Sequence, residues 1–198
     1  MSKRSAEAKP RAVPLPEALR DALSIPGPSF DAGPFALDLY RLLCIVLADK
    51  KIGALADDPD YDNMSPIQEL QDRFRDGELI RILISSAVAL RTLFDRHSQL
   101  GPASKKQCGQ LWSRWPNGKQ KPEPLTLREG CNKIIHARDK KDDLMVPNLP
   151  VNPDMIGTYI RPFVDLYGTK NGQQWRAKLS IVEFARHGTF ALLRHAKA

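Results

Sequence analysis

Cysteine is scarce in this 198-residue chain: there are three, at positions 44, 108 and 131. An odd number of widely spaced cysteines excludes a disulfide framework and points to a reducing compartment. Long hydrophobic runs are missing too. The most apolar stretch, LIRILISSAVALRTLF over 79–94, is interrupted by Arg81 and Arg91 and falls short of the roughly 20 apolar residues that span a bilayer. The first nineteen residues have no apolar core of a signal peptide, and Glu7 and Glu17 fit a transit peptide poorly. The expectation is a cytoplasmic protein with no membrane partner. Also absent are a CxxC pair, a glycine-rich phosphate loop and a nucleophile elbow, so no cofactor and no metal site are expected. No internal repeat is visible.

What is present is basic charge, unevenly spread. The formal net charge is +7; residues 35–98 sum to −3, whereas 99–123 and 151–198 each carry +4. Such a balance favours polyanionic partners, nucleic acid first, although many basic proteins bind none. Six of the sixteen prolines fall within residues 1–34, too many for a stable helix or central strand. That segment reads as a flexible arm and 35–198 as one domain.

From Phe35 the pattern turns helical, with Leu39, Leu42, Leu43 and Val46 at helical spacing to about Leu55. An acidic turn follows over 57–63. Ser65, Pro66 and Gln68 mark a second helix start, with periodicity to about His97 and Gly77 as a place for a kink or break. Residues 99–123 have a loop-like makeup apart from QLWSRW. Thr126 and Glu129 then form a capping box for a helix over 127–138. An irregular, proline-containing stretch precedes a hairpin at about 159–179. There Tyr159 to Tyr167 alternates, Asn171-Gly172 is a strong two-residue turn, and Trp175, Ala177 and Leu179 alternate with Arg176 and Lys178. Pro162 puts the first strand at an edge. Ser180 and Glu183 cap a last helix. The predicted fold is mainly α, a helical bundle of four or five helices with a β-hairpin before the C-terminal helix.

Two groups of residues could carry chemistry. On a wheel of about 100° per residue, Leu127, Cys131, Ile134 and Ile135 share one face, while Arg128, Asn132 and His136 form a polar stripe turned away from it. A histidine with an ordinary pKa near 6.5 exchanges protons at neutral pH, and a neighbouring amide orients a phosphate or a ribose hydroxyl. The same stripe is equally compatible with a plain solvent face. Cys131 and His136 alone are too few for zinc. The second group is the segment 105–121, where Lys105, Lys106, Arg114, Lys119 and Lys121 flank Trp112 and Trp115. Charge for phosphates and flat rings for bases suit single-stranded nucleic acid; alternatively, the tryptophans cover the bundle while the lysines stay in water.

Across 35–195, the helix pattern and the run Cys131-Asn132-Lys133-Ile134-Ile135-His136 resemble the HEPN superfamily. Its ribonuclease members carry an arginine and a histidine with four to six residues between them, and the two groups from two protomers meet and cleave RNA without metal. Here Cys131 stands at the arginine position, and Arg128 has seven residues between it and His136, just outside the family spacing. The resemblance implies a protein that binds or cleaves RNA in a bacterial defence or toxin-type setting, as a homodimer through the 127–138 helix. In it His136 would move the proton, Asn132 would orient the substrate, and Arg128 or Lys133 of the same chain, or a basic residue of a partner, would take over the arginine's duty. The residues by themselves also admit a non-enzymatic module that docks a protein or nucleic acid through a basic surface.

Overall fold

The computed structural model describes residues 32–56, 65–113, 121–137, 144–145, 148–152 and 155–195. Its order is α1 (Ala32–Ala56), α2 (Pro66–Arg96), a 3-10 turn (Ser98–Leu100), α3 (Gly101–Ser104), β1 (Gln107–Trp112), β2 (Glu123–Thr126), α4 (Leu127–His136), β3 (Leu144–Met145), β4 (Asn148–Asn152), β5 (Met155–Ile160), β6 (Phe163–Lys170), β7 (Gln173–Ser180) and α5 (Ile181–His195). Helix predominates, and the hairpin before the last helix is present. The arm expected over 1–34 and the acidic turn at 57–63 fall mainly outside the described residues. Where the two overlap, α1 starts at Ala32 and takes Pro34 into its first turn, a place where a missing N–H breaks no helical hydrogen bond.

The helix starts follow the local chemistry. The Ser65 hydroxyl accepts a hydrogen bond from the Ile67 N–H at 3.3 Å, and Pro66 opens α2. The Thr126 hydroxyl accepts from the Glu129 N–H, and the Ser180 hydroxyl from the Glu183 N–H, each at 3.3 Å. These bonds satisfy donors that the first turn leaves orphaned. Helix α2 runs unbroken through Gly77 to Arg96, with its buried side chains confined to the second half, from Leu79 to Phe94. Helix α4 ends at His136, two residues before the expected 138.

Helices α1 and α2 lie antiparallel. Arg81 meets Asp38 at 3.3 Å near one end, and near the other the buried Asp49 accepts from Gln71 Nε2 at 2.5 Å. The second Asp49 oxygen accepts from the Ile160 N–H at 2.5 Å, tying the end of β5 to this helical pair. Leu39 of α1 and Leu90 of α2 both close on Gly188 of α5, so three helices share one core.

The sheet is larger than a hairpin. Strands run in the order β2-β1-β7-β6-β3, all antiparallel, and β4 with β5 forms a separate ladder. The expected turn holds: Asn171 and Gly172 have φ of 53° and 75°, the left-handed conformation a two-residue hairpin turn demands. The first hairpin strand, however, begins at Phe163, because Pro162 interrupts the ladder and leaves Tyr159 and Ile160 in β5. The loop-like reading of 99–123 is corrected: it contains a 3-10 turn, α3 and β1, a central strand between β2 and β7. Glycine, cysteine and two glutamines lower the strand propensity of QCGQLW. Gly109 nonetheless suits that place, since a Cβ there would lie 2.1 Å from the Lys178 carbonyl oxygen. Strands β4 and β5 likewise fall in the stretch read as irregular, their pattern masked by Pro150 and the neighbouring prolines.

Candidate functional site

Helix α4 carries the residues singled out in the sequence, and it is wedged between α2 and the sheet. Leu127, Cys131 and Ile134 are buried and Ile135 packs against the core, as the wheel predicts. The opposite stripe opens into a cavity of about 650 Å³ lined by Asn132, His136, Glu129 and Lys133 of α4, Arg91 of α2, and Thr169, Lys170 and Trp175 at the hairpin tip. His136 is exposed at its rim. Asn132 is held from both sides: its carbonyl accepts from the Arg91 guanidinium, and its Nδ2 donates to Glu129 Oε2 at 3.0 Å. With both ends engaged, the amide is locked in one rotamer.

Lys133 is buried to 7% exposure, which an ammonium tolerates only with partners. It has two: Glu129 Oε1 at 3.2 Å and the Trp175 ring, whose centroid is 4.3 Å away. Burial by itself would raise the Glu129 carboxyl. The hydrogen bonds from Asn132 and Lys133 and the charges of Lys133 and Lys170 outweigh it and hold Glu129 below its ordinary value. Trp175 is 3% exposed and lies across Gly168 of the paired strand, where a Cβ would come within 2.3 Å of the ring. The cavity wall is therefore stiff.

Arg128 is not among the cavity-lining residues. It forms an ion pair with Asp95 of α2, which also receives Arg91 Nε at 2.9 Å. The hydrogen bond from Arg91 and then that from Arg128 hold the Asp95 carboxyl low, against some desolvation. The positive group beside Asn132 and His136 is thus Arg91, 41 residues away from Asn132 in sequence. Nothing in the motif announces it; the available signal is an arginine inside an otherwise apolar run. Lys170, Trp175 and Glu129 were likewise missed as site residues. Cys131 is fully buried and burial pushes its thiol up, so it does not join His136 as a ligand. Among the described residues no group of three or more His, Cys, Asp or Glu could hold a metal ion.

The basic aromatic segment is partly rearranged. Lys105 and Lys106 are exposed at the turn between α3 and β1, and Lys121 is exposed ahead of β2. Arg114, Trp115 and Lys119 lie outside the described residues. Trp112 is the last residue of β1. Its ring lies 5.1 Å from the Arg176 guanidinium, directly opposite on β7, and Tyr167 on β6 sits 5.9 Å from the same group. Lys178 reaches to 5.0 Å from the Phe163 ring on that sheet face. These cations and rings, with Arg176 also paired to Asp165, lie on the sheet surface turned away from α4. No helix among the described residues is long and apolar enough to cross a membrane.

Comparison with known proteins gives no match: no family model, no curated protein and no solved structure is similar to this chain.

Proposed function

We propose that the cavity beside α4 binds a phosphate of single-stranded RNA, and that the protein is an RNA-binding protein of HEPN-like kind in a bacterial defence or toxin-type setting. The observation that carries the reading is the seating of Arg91 against Asn132 beside His136, with Lys133 and Lys170 on the same cavity. Of the lining residues Arg91, Lys133 and Lys170 are cations and Glu129 is a carboxylate, and Asp95, which pairs with Arg91, is shared with Arg128. The carbonyl end of α4 adds only about half a negative charge, so the cavity remains positive. A fixed guanidinium matches phosphate geometry better than a mobile ammonium. The resemblance of residues 131–136 to the HEPN motif supports RNA as the polyanion, with Arg91 in the arginine's place.

Metal-free strand scission takes a proton from the 2′-hydroxyl, delivers one to the departing 5′-oxygen and neutralises charge at phosphorus. His136 serves one of the proton transfers and Arg91 the charge. Glu129, held ionised by Asn132 and Lys133, is a weak base, so the isolated chain binds RNA and cleaves it slowly or not at all.

The test measures binding to a fluorescent single-stranded RNA over a salt series, and incubation with total RNA with and without chelator. Affinity should fall steeply with salt, and Arg91→Ala should reduce the slope by about one phosphate contact. Any cleavage should survive the chelator and vanish in His136→Ala. Arg128→Ala should act only indirectly, by leaving Asp95 to Arg91. Equal affinity at low and high salt, or an Arg91→Ala protein that binds like the parent, overturns the reading. If the slope instead flattens on replacing Lys105, Lys106 and Lys121 together, RNA meets the surface around β1 and not the cavity.

A further inference from the structure

The outer side of the α1–α2 pair, opposite its core, is apolar. Along α1, Leu37, Tyr40, Cys44 and Leu47 follow each other in steps of three and four residues, and Leu55 continues the line. Along α2, Ile67, Leu70 and Phe74 run in the same steps, and beyond Gly77 and Arg81 the line resumes at Ile84 and Val88. Alternating three and four is the spacing of a coiled-coil seam. The core positions Leu39, Leu42 and Leu83, Leu90 lie on the far side of each wheel.

The large apolar residues of the two lines are 40% to 68% exposed. At about 200 Å² for a fully exposed large side chain, they present roughly 1,000 Å² per chain, more than the few hundred Å² a monomer usually leaves open and enough for the roughly 800 Å² per partner of a stable complex.

Gly77 adds an independent sign. It sits mid-helix on the outward line, where glycine is the poorest choice after proline, and a Cβ there would meet nothing within 4 Å. Nothing among the described residues requires a glycine at this point; a side chain of a second copy would seat there. The Asp38–Arg81 and Asp49–Gln71 contacts set the antiparallel register, which brings Leu47 level with Phe74. Lys51 interrupts the α1 line as Arg81 interrupts that of α2, while Asp72 and Asp76 are ion-paired with Arg75 of their own helix, which leaves Glu69 as the acidic side chain beside the first half of the α2 line.

We propose that this face is covered by a second copy of this chain, the two helical hairpins closing an antiparallel four-helix bundle with α1 of each chain over α2 of the other. The Leu47 of one chain then meets the Phe74 and Gly77 of the other, and Lys51 of one chain comes near Glu69 of the other. The proposal is independent of the RNA reading, and it moves dimerisation away from α4, whose apolar face is buried in its own chain.

The test is sedimentation equilibrium of the full chain over a concentration series. The parent should reach twice the 22.2 kDa chain mass. Leu47→Glu with Phe74→Glu, both at exposed positions, should weaken association on the order of a hundredfold or more with a melt that equals the parent's at dilutions where both are monomeric and no longer rises with concentration, and Gly77→Gln should weaken it while leaving the helix intact. Alkylation of Cys44 should slow as concentration rises. A parent that stays monomeric at the highest concentration overturns the proposal. So does a dimer that persists in the double variant, which would place the contact elsewhere, or a Cys44 protected equally at all concentrations, which would mean that residues 1–31 cover the face instead.

Discussion

Gly168→Ala tests the link between the sheet and the cavity. Gly168 faces Trp175 across the β6–β7 ladder, and an added Cβ would lie 2.3 Å from Cζ2 and 2.7 Å from Cε2 of the indole. Non-bonded carbons rest about 3.5–4.0 Å apart, so the ring has to retreat by about 1 Å. The Lys133 ammonium also lies over the ring, 4.3 Å from the centroid, and is itself held by Glu129 at 3.2 Å. The ring therefore moves only by pushing Lys133 off Glu129 or by bending the hairpin. Overpacking of this kind costs about 1–3 kcal/mol. For a chain of this length each kcal/mol is worth about 2–4 °C, which puts the expected loss in melting temperature near 6 °C. Far-UV circular dichroism follows the melt, and tryptophan emission of the folded variant reports the shifted indole. RNA affinity should fall as well, since Trp175, Lys133 and Glu129 all line the cavity. A variant with the parent's melt and emission would show that the ring does not need the space over Gly168, and the description of a stiff wall would fail.

Three other outcomes follow from the same contacts. Asp49→Ala removes an acid that is 2% exposed and strands the Gln71 amide, the Ile160 N–H and part of the charge of Arg75, 3.7 Å away; urea unfolding should show a loss of about 3–5 kcal/mol, and a loss below about 1 kcal/mol would contradict the buried network. In the folded protein at concentrations that keep it monomeric, Cys44, which is exposed, should react rapidly with iodoacetamide. Cys108, pushed up to about 12 by burial, and Cys131, raised by burial too, should react only on unfolding; mass spectrometry counting more than one fast adduct would refute this. The Glu129 carboxyl is held below its ordinary value, so its contribution to stability is present above the usual glutamate range near about 4.3 and is lost as the pH falls through its lowered folded value. Glu129→Gln should flatten the acid limb of a stability–pH profile, and a limb as steep as the parent's would count against the assignment.

Several features were legible in the linear chain because the interactions that make them are local. The caps at Ser65, Thr126 and Ser180 each close over two or three residues, and the Asn171-Gly172 turn depends on two backbone angles. The split of α4 into a buried side and a polar stripe follows from helical periodicity alone. Nothing local distinguishes QCGQLW as a central strand: it becomes one because β7, some sixty-five residues later, offers Lys178 and Ala177 to pair with Gln110 and Leu111. The same holds for the cavity. His136 and Asn132 stand together on one helix whatever surrounds them, but the cation that faces them comes from Arg91 on another helix, and the wall behind Lys133 comes from Trp175 on a strand. Helical and turn geometry act between near neighbours and can be read residue by residue, whereas packing pairs residues by shape and charge across any separation, and only the folded chain decides which of its many arginines and tryptophans arrive.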